Sequence, residues 1–282
     1  MYDLSSLQTG PLRRVHAKHG DFLIIAGDSI GIGALLQYYG EFCEREITLM
    51  CALLQPGDHV IEVGANIGTH TIPLARRVTP AGRLIALEAQ PVAAVVLEAN
   101  LALNAIHWVD VRLAAGGRAP GVTCVPTVDY RSAGNVGAVS LVAAQSEGQI
   151  NVVSIDSLGE QPTLIKIDVE GMELDVLEGS ARTIADFKPM LYVENNPTPA
   201  EESMAVLQWL QGIDYDLYWD VRSLHETTNF RGQAQPFFSD GFSSNVLAMP
   251  RGRPVDVHTF DLEPIVDIHD HKLTRLFRAQ GI

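Results

Sequence analysis

The segment VIEVGANIGTHT, residues 60–71, holds a carboxylate at Glu62, glycines at Gly64 and Gly68, and a run that reads as strand, turn and helix. Such a turn leaves free backbone N–H groups at a helix start, beside the crevice that opens at the carboxyl end of a strand. A dinucleotide fingerprint requires Gly-x-Gly-x-x-Gly, but counting from Gly64 puts Asn66 and Thr69 where the second and third glycines belong. A phosphate-binding P-loop requires a lysine in the turn, and none is present. Glu88 ends the next apolar run, RLIALE, where a carboxylate can accept both hydroxyls of an adenosine ribose. S-adenosylmethionine suits these residues: it has no pyrophosphate, and its sulfonium and ammonium favour an acidic turn, with Glu62 placed to polarise the ammonium through water or backbone groups.

A second set of carboxylates follows further along. Asp168 and Glu170 lie after the run TLIKI, and Glu194 ends MLYVE. In a doubly wound sheet those strand ends face the transferable group. Methyl transfer is an in-line displacement, so the protein must hold the acceptor at about 3 to 3.5 Å and remove its proton. Asp168, Glu170 and Glu194 are therefore the candidate catalytic groups. The competing structural role is capping, with Asp168 at the start of the next helix and Glu170 on backbone amides. Three carboxylates also suit a hard cation such as Mg²⁺. No Asp-Asp pair marks such a site, and the expected mechanism uses no metal. Glu173 and Glu178 read as solvated residues of the following helix.

Positioning these residues demands an alternation of strands and helices, and the chain supplies one. HVIEV, RLIALE, WVDVRLAA, TLIKIDV and MLYVEN read as strands. NIGTHTIPLARRV, PVAAVVLEANLALN, GMELDVLEGSARTI and AEESMAVLQWLQG read as helices, the second opening on Pro91. Residues 116–154, rich in Gly, Val, Thr and Ser, read as irregular hairpins inserted before the fourth strand. YDLYW and SSNVLAM close the sheet around a long loop carrying Arg222, His225, Arg231, Phe237, Phe238 and Phe242, where contacts to an acceptor are expected; Trp219 suits an apolar wall or the core. Residues 1–58 form an appendage with a strand at DFLIIAGD and a helix at EFCEREITLMCALL. Residues 59–250 are the cofactor-binding domain, and 251–282 a polar tail ending in a helix, with His269 and His271 spaced as on a strand face.

Composition narrows the function classes. With 282 residues, 46% of them hydrophobic, the chain can bury a sizeable core. Twenty basic against 34 acidic side chains leave a net charge of −14, which disfavours nucleic acid as partner. No apolar run approaches the roughly 18 to 20 residues of a bilayer span, and the amino-terminal stretch lacks a signal-peptide core, so a cytoplasmic protein with no membrane association is expected. Cys43, Cys51 and Cys124 fit neither a disulfide framework nor a zinc site.

Four blocks together resemble the FkbM-type S-adenosylmethionine-dependent methyltransferases: YYGEFCEREI, GDHVIEVGANIGTHTIPLA, LIKIDVEGMELDVLEGS, and YVEN with the later YWD and SSNVLAMP. They span about residues 38–250. The resemblance implies the Rossmann-like class I methyltransferase fold: an α/β protein with a seven-stranded, mostly parallel sheet and helices on both faces. It implies acceptors bearing hydroxyl groups on sugars or polyketide-like metabolites, as in natural-product biosynthesis. It places Glu62, Gly64, Ala65, Asn66, Gly68 and Thr69 in the methionine-side loop and Glu88 on the ribose. Ala89 and Gln90 come under the adenine or ribose, His70 in the pocket lining, Ala114 and Ala115 along the adenine, and Glu41 in a lid.

An O-methyltransferase acting on a small hydroxylated acceptor is thus the leading expectation. N-methylation of an amine or peptide and a non-catalytic nucleoside-binding scaffold stay open. A homo-oligomer is compatible with the chain.

Overall fold

A computed structural model describes residues 11–126, 134–135, 148–238 and 241–280. The chain opens on a hairpin, β1 (Leu12–Ala17) and β2 (Gly20–Ile25), then α1 (Ile32–Tyr39) and α2 (Glu44–Leu53). The alternation follows as β3 (His59–Val63), α3 (Thr71–Val78), β4 (Arg83–Glu88), α4 (Pro91–Leu103) and β5 (Val109–Gly116). The inserted strands are β6 (Gly121–Cys124) and β7 (Gln149–Val153), followed by the one-turn α5 (Ile155–Leu158). Then come β8 (Leu164–Ile167), α6 (Glu173–Glu178), α7 (Ala181–Phe187), β9 (Met190–Glu194) and α8 (Ala200–Gln211). Strands β10 (Tyr215–Ser223), β11 (Phe242–Pro250) and β12 (Glu263–Pro264) precede the terminal α9 (Lys272–Gln280).

One sheet holds ten of these strands in the order β12-β10-β11-β9-β8-β3-β4-β5-β7-β6. The expected seven-stranded sheet is its middle, β5 to β10, and β7, β6 and β12 extend its edges. Strands β3, β4, β5, β8 and β9 run parallel, while β11 is antiparallel to both β9 and β10. The strand order reverses between β3 and β8, so a crevice opens there at the carboxyl ends.

Both faces of the sheet are covered, which is why its central strands read as near-continuous apolar runs. Val60, Leu164 and Met190 pack with the amino-terminal hairpin, α2, α3 and α4. Ile61, Ile165 and Leu191, each one residue on, pack with α6, α7 and α8 on the opposite face. By the same alternation Glu62 and Lys166, paired across β3 and β8, turn toward the first face.

The appendage is part of the core. Phe22 and Ile24 join the cluster that contains Leu97 and Leu101 of α4. Asn100, fully buried on α4, accepts the Leu23 amide at 2.6 Å and donates to the Leu23 carbonyl at 3.0 Å. It also donates to the carbonyl of Ile67, at 2.9 Å, and so ties the hairpin to the loop after β3.

Several expectations need correction. Strand β1 and helix α1 occupy segments with no clear period in the sequence. The helix expected from Asn66 begins only at Thr71, because the five preceding residues form the turn itself. The helix after β8 is two helices, α6 and α7, meeting at Gly179 and Ser180. The tail buries Leu262, Ile268 and Leu273 and adds β12 to β10. Glu173 is buried, not solvated. Trp219 is a core residue, and His271, instead of lying on a strand face, stacks on it at 4.3 Å and shares a hydrogen bond with the Asn195 carbonyl at 3.0 Å. The expected hairpins include β6 and β7, while residues 127–133 and 136–147 lie outside the described residues. No helix among the described residues is long and apolar enough to cross a membrane.

Candidate functional site

The turn after β3 has room for nothing larger than glycine at its first bend. Gly64 has φ +85°, and a Cβ there would sit 1.7 Å from the carbonyl oxygen of Asp168. That close approach brings β3 against the end of β8. Asn66, also left-handed at φ +50°, points its amide at the Glu88 carboxylate, 2.7 Å away. The Gln90 amide donates to the other oxygen of Glu88 at 2.8 Å. Burial pushes the Glu88 carboxyl up to about 7, although these amides pull the other way.

A cavity of about 260 Å³ lies over these strand ends. Glu88, Ala89, Gln90, Ala114 and Ala115 form one end, and Gly64, Ala65, Asn66 and Thr69 the middle. His70, Asp168, Glu170 and Glu194 line it further on. Three expected residues are not on its wall. Glu62 lies one layer behind, 1% exposed, accepting the Thr71 hydroxyl at 2.7 Å. Gly68 packs against Leu97. Glu41 lies elsewhere, accepting the Phe230 amide at 2.9 Å with Lys18 at 3.7 Å.

Other wall residues were not anticipated as site residues. Phe42, Cys43 and Glu46 come from α2 and the segment before it, Lys166 from β8, and Ser243, Ser244 and Asn245 from the start of β11. A lysine inside the apolar run LIKI was a signal for the second of these. The others lie in the blocks EFCEREI and SSNVLAM, whose residue types assign them no site role; the antiparallel insertion of β11 beside β9 is what brings its first residues to the site. The Ser244 hydroxyl is buried with no hydrogen-bond partner among the described residues, and the residue is part of the cavity lining. Phe242 lines the cavity as expected. Phe237 packs on Tyr38, His225 contacts Tyr39, and Arg222 pairs with Asp220, all away from the cavity wall. Arg231 donates to the His16 carbonyl and does not line the cavity either.

The three candidate catalytic carboxylates converge: Asp168, Glu170 and Glu194 offer oxygens within 4.8 Å of one another. The Lys166 ammonium reaches Asp168 at 3.0 Å. Burial raises the Asp168 carboxyl, but Lys166 outweighs it and holds the group below its usual range. Glu194 is pushed well above the usual range by burial and by the charges of Asp168 and Glu170. Glu170 is raised to about 7 by burial, with Asp168 and Glu173 adding repulsion.

No side chain caps α6, and bracing of the loop before it falls to a different residue. Glu173 accepts the amides of Val169 at 3.2 Å and Gly171 at 3.1 Å, leaving Asp168 and Glu170 free of that duty. Glu170 itself has φ +53°, a conformation that costs a side-chain-bearing residue energy and is held by the surrounding loop. A second cavity, about 390 Å³, shares Glu170 and Glu194 with the first and extends past Asn196, Thr198 and Glu202.

Comparison with known proteins gives a family match and several structural likenesses. The family model described as the methyltransferase FkbM domain matches residues 62–217, more than half of the chain. The methyltransferase FkbM structure from Methylobacillus flagellatus KT is 18% identical with a TM-score of 0.47. The alignment covers 76% of this chain and 50% of that one, so this chain spans half the length of that protein. Precorrin-6y C5,15-methyltransferase from Geobacter metallireducens GS-15 is 15% identical with a TM-score of 0.48, covering 73% of this chain and 87% of that one. A SAM-dependent O-methyltransferase from Thermotoga maritima is 14% identical with a TM-score of 0.45, covering 87% and 80%. No curated protein matches the chain.

Proposed function

Because the chain belongs to the FkbM methyltransferase family, we propose that it transfers the methyl group of S-adenosylmethionine to a hydroxyl of a small metabolite of the sugar or polyketide-like kind. One observation carries this reading: a single cavity runs from the Glu88 carboxylate at the end of β4 to the carboxylates of Asp168, Glu170 and Glu194.

The residues suit that cofactor. Glu88, held by two backbone amides, keeps acceptor capacity for a ribose diol. Ala89, Ala114 and Ala115 offer a small apolar surface for a purine ring. Gly64 and Asn66 keep the turn low enough for a ligand to lie across it. When bound, the cofactor supplies an electrophilic methyl group on a sulfonium with a neutral thioether as leaving group.

The chain must then orient the acceptor oxygen and take its proton. Glu170 is the fitting base, because it is raised to about 7, where a carboxylate accepts a proton with useful driving force and is still half ionised at neutral pH. Asp168 is neutralised by Lys166 and acts as a fixed counter-charge. Glu194, pushed well above the usual carboxylate range by burial and its acidic neighbours, is suited to holding a proton beside Asp168 and the acceptor. The second cavity gives room for the acceptor beside these groups.

Calorimetric titration with S-adenosylmethionine tests the cofactor. Micromolar binding lost in Glu88→Ala is expected; no binding by wild type, or unchanged binding by the variant, overturns the reading. A product mass spectrum with hydroxylated and amine acceptors distinguishes oxygen from nitrogen transfer.

A further inference from the structure

With adenosine anchored at Glu88, the amino-acid end of the cofactor has to extend across Gly64 toward the wall formed by Glu46, His70 and Lys166. An α-ammonium there donates three hydrogen bonds and needs an ionised acceptor. Glu62 is excluded, because it lies behind the wall with Thr71 on one of its oxygens. Asp168 already holds Lys166.

Glu46 differs from both. It lines the cavity, is 4% exposed, and receives an amide donor from Asn245 at 3.2 Å, with the His70 ring at 3.4 Å and the side chains of Ser243 and Cys43 also against it, but no ammonium of its own. Burial raises its carboxyl, but the His70 imidazole, the Ser243 hydroxyl and Lys166 together prevail and keep it below the usual range. At this end of the cavity the carboxylates of Glu46 and Asp168, with Glu62 one layer behind, face the Lys166 ammonium and the His70 imidazole. A ligand bringing another positive charge relieves that excess, and a ligand bringing none leaves it in place.

We propose that Glu46, carried on α2 outside the family-matched segment, is the acceptor for the α-ammonium of the methyl donor, with His70 and Asn245 positioning its carboxylate. This rests on the cofactor reading above and adds the residue that reads the donor's amino-acid end.

The test compares binding of S-adenosylhomocysteine with that of its deaminated analogue, which keeps the adenosine, thioether and carboxylate. Wild type prefers S-adenosylhomocysteine by roughly ten- to hundredfold, the range of a charged hydrogen bond. Glu46→Gln binds the analogue as wild type does and loses most of that preference. A preference retained in Glu46→Gln overturns this proposal alone. So does a wild-type protein that binds both ligands equally, a result that needs no folded variant. Failure of wild type to bind S-adenosylhomocysteine at all overturns the cofactor reading and this proposal with it.

Discussion

The ammonium of Lys166 stands 3.0 Å from the carboxylate of Asp168, and the lysine is only 2% exposed. Burial alone lowers a lysine pKa, yet Asp168 and Glu62 raise this one above its usual value, so it stays charged. The pair divides the labour among the three strand-end carboxylates. Asp168 is spent on Lys166, which leaves Glu170 to titrate near neutrality.

Glu170→Gln is expected to lower kcat/KM by roughly 10² to 10⁴, the usual worth of a positioned base. In the wild type, kcat/KM rises with pH through about 7 as Glu170 ionises. In the variant that limb flattens while cofactor affinity changes little. A variant that keeps the limb assigns the base elsewhere.

Lys166→Met leaves Glu62, Glu46 and Asp168 without their common counter-charge. The expected loss is about 3 kcal/mol, toward the lower end for a buried pair because Asp168 is partly exposed. Urea denaturation reads it, and Lys166→Met combined with Asp168→Asn recovers part of the loss. Equal stability of wild type and single variant contradicts the assignment.

Chelation by EDTA is expected to leave turnover unchanged, since Lys166 already supplies positive charge beside Asp168. Activity lost on chelation and restored by Mg²⁺ assigns the cluster of Asp168, Glu170 and Glu194 to a cation instead.

Glu88→Gln separates stability from binding. The folded-state pKa is raised from 4.5 to about 7, so this group's contribution is fully present below pH 4.5 and is lost as pH rises through 7. The variant is therefore expected to be more stable than wild type at pH 8, by on the order of 2 kcal/mol, with no gain at pH 4. Thermal unfolding at the two pH values measures it. Cofactor binding by the variant weakens over the same range, a trade of function for stability.

Gly64→Ala places a Cβ in the space of the Asp168 carbonyl and demands a positive φ of alanine. The loop ends must separate, and cofactor binding falls by more than roughly tenfold, with a lower Tm. Binding at wild-type strength in calorimetry refutes the close approach.

Much of this was legible in the chain. The parallel strands were readable because burial on both faces makes them apolar runs, and Glu88 because it closes one of those runs. Glu46 was not, since its helix lies ahead of the alternation in sequence and reaches the site only by folding over β3. That Glu62 lies behind the cavity wall was not legible for a related reason: alternation along a strand turns it to one face of the sheet, and only packing of α2 and α3 decides that this face is sealed. Glu173 reads as an exposed helix residue until the loop before it turns two amides back onto its carboxylate. Glu170's strain has no mark in residue type at all.

Asn100 has a consequence for how this protein is handled. Its amide holds the Leu23 backbone and the Ile67 carbonyl at once, so trimming the chain to the stretch that sequence likeness recognises would strip partners from a polar group at the bottom of the core. The unit that must be kept intact is therefore larger than the unit that similarity detects: cutting ahead of residue 62 removes a brace of the loop it was meant to preserve.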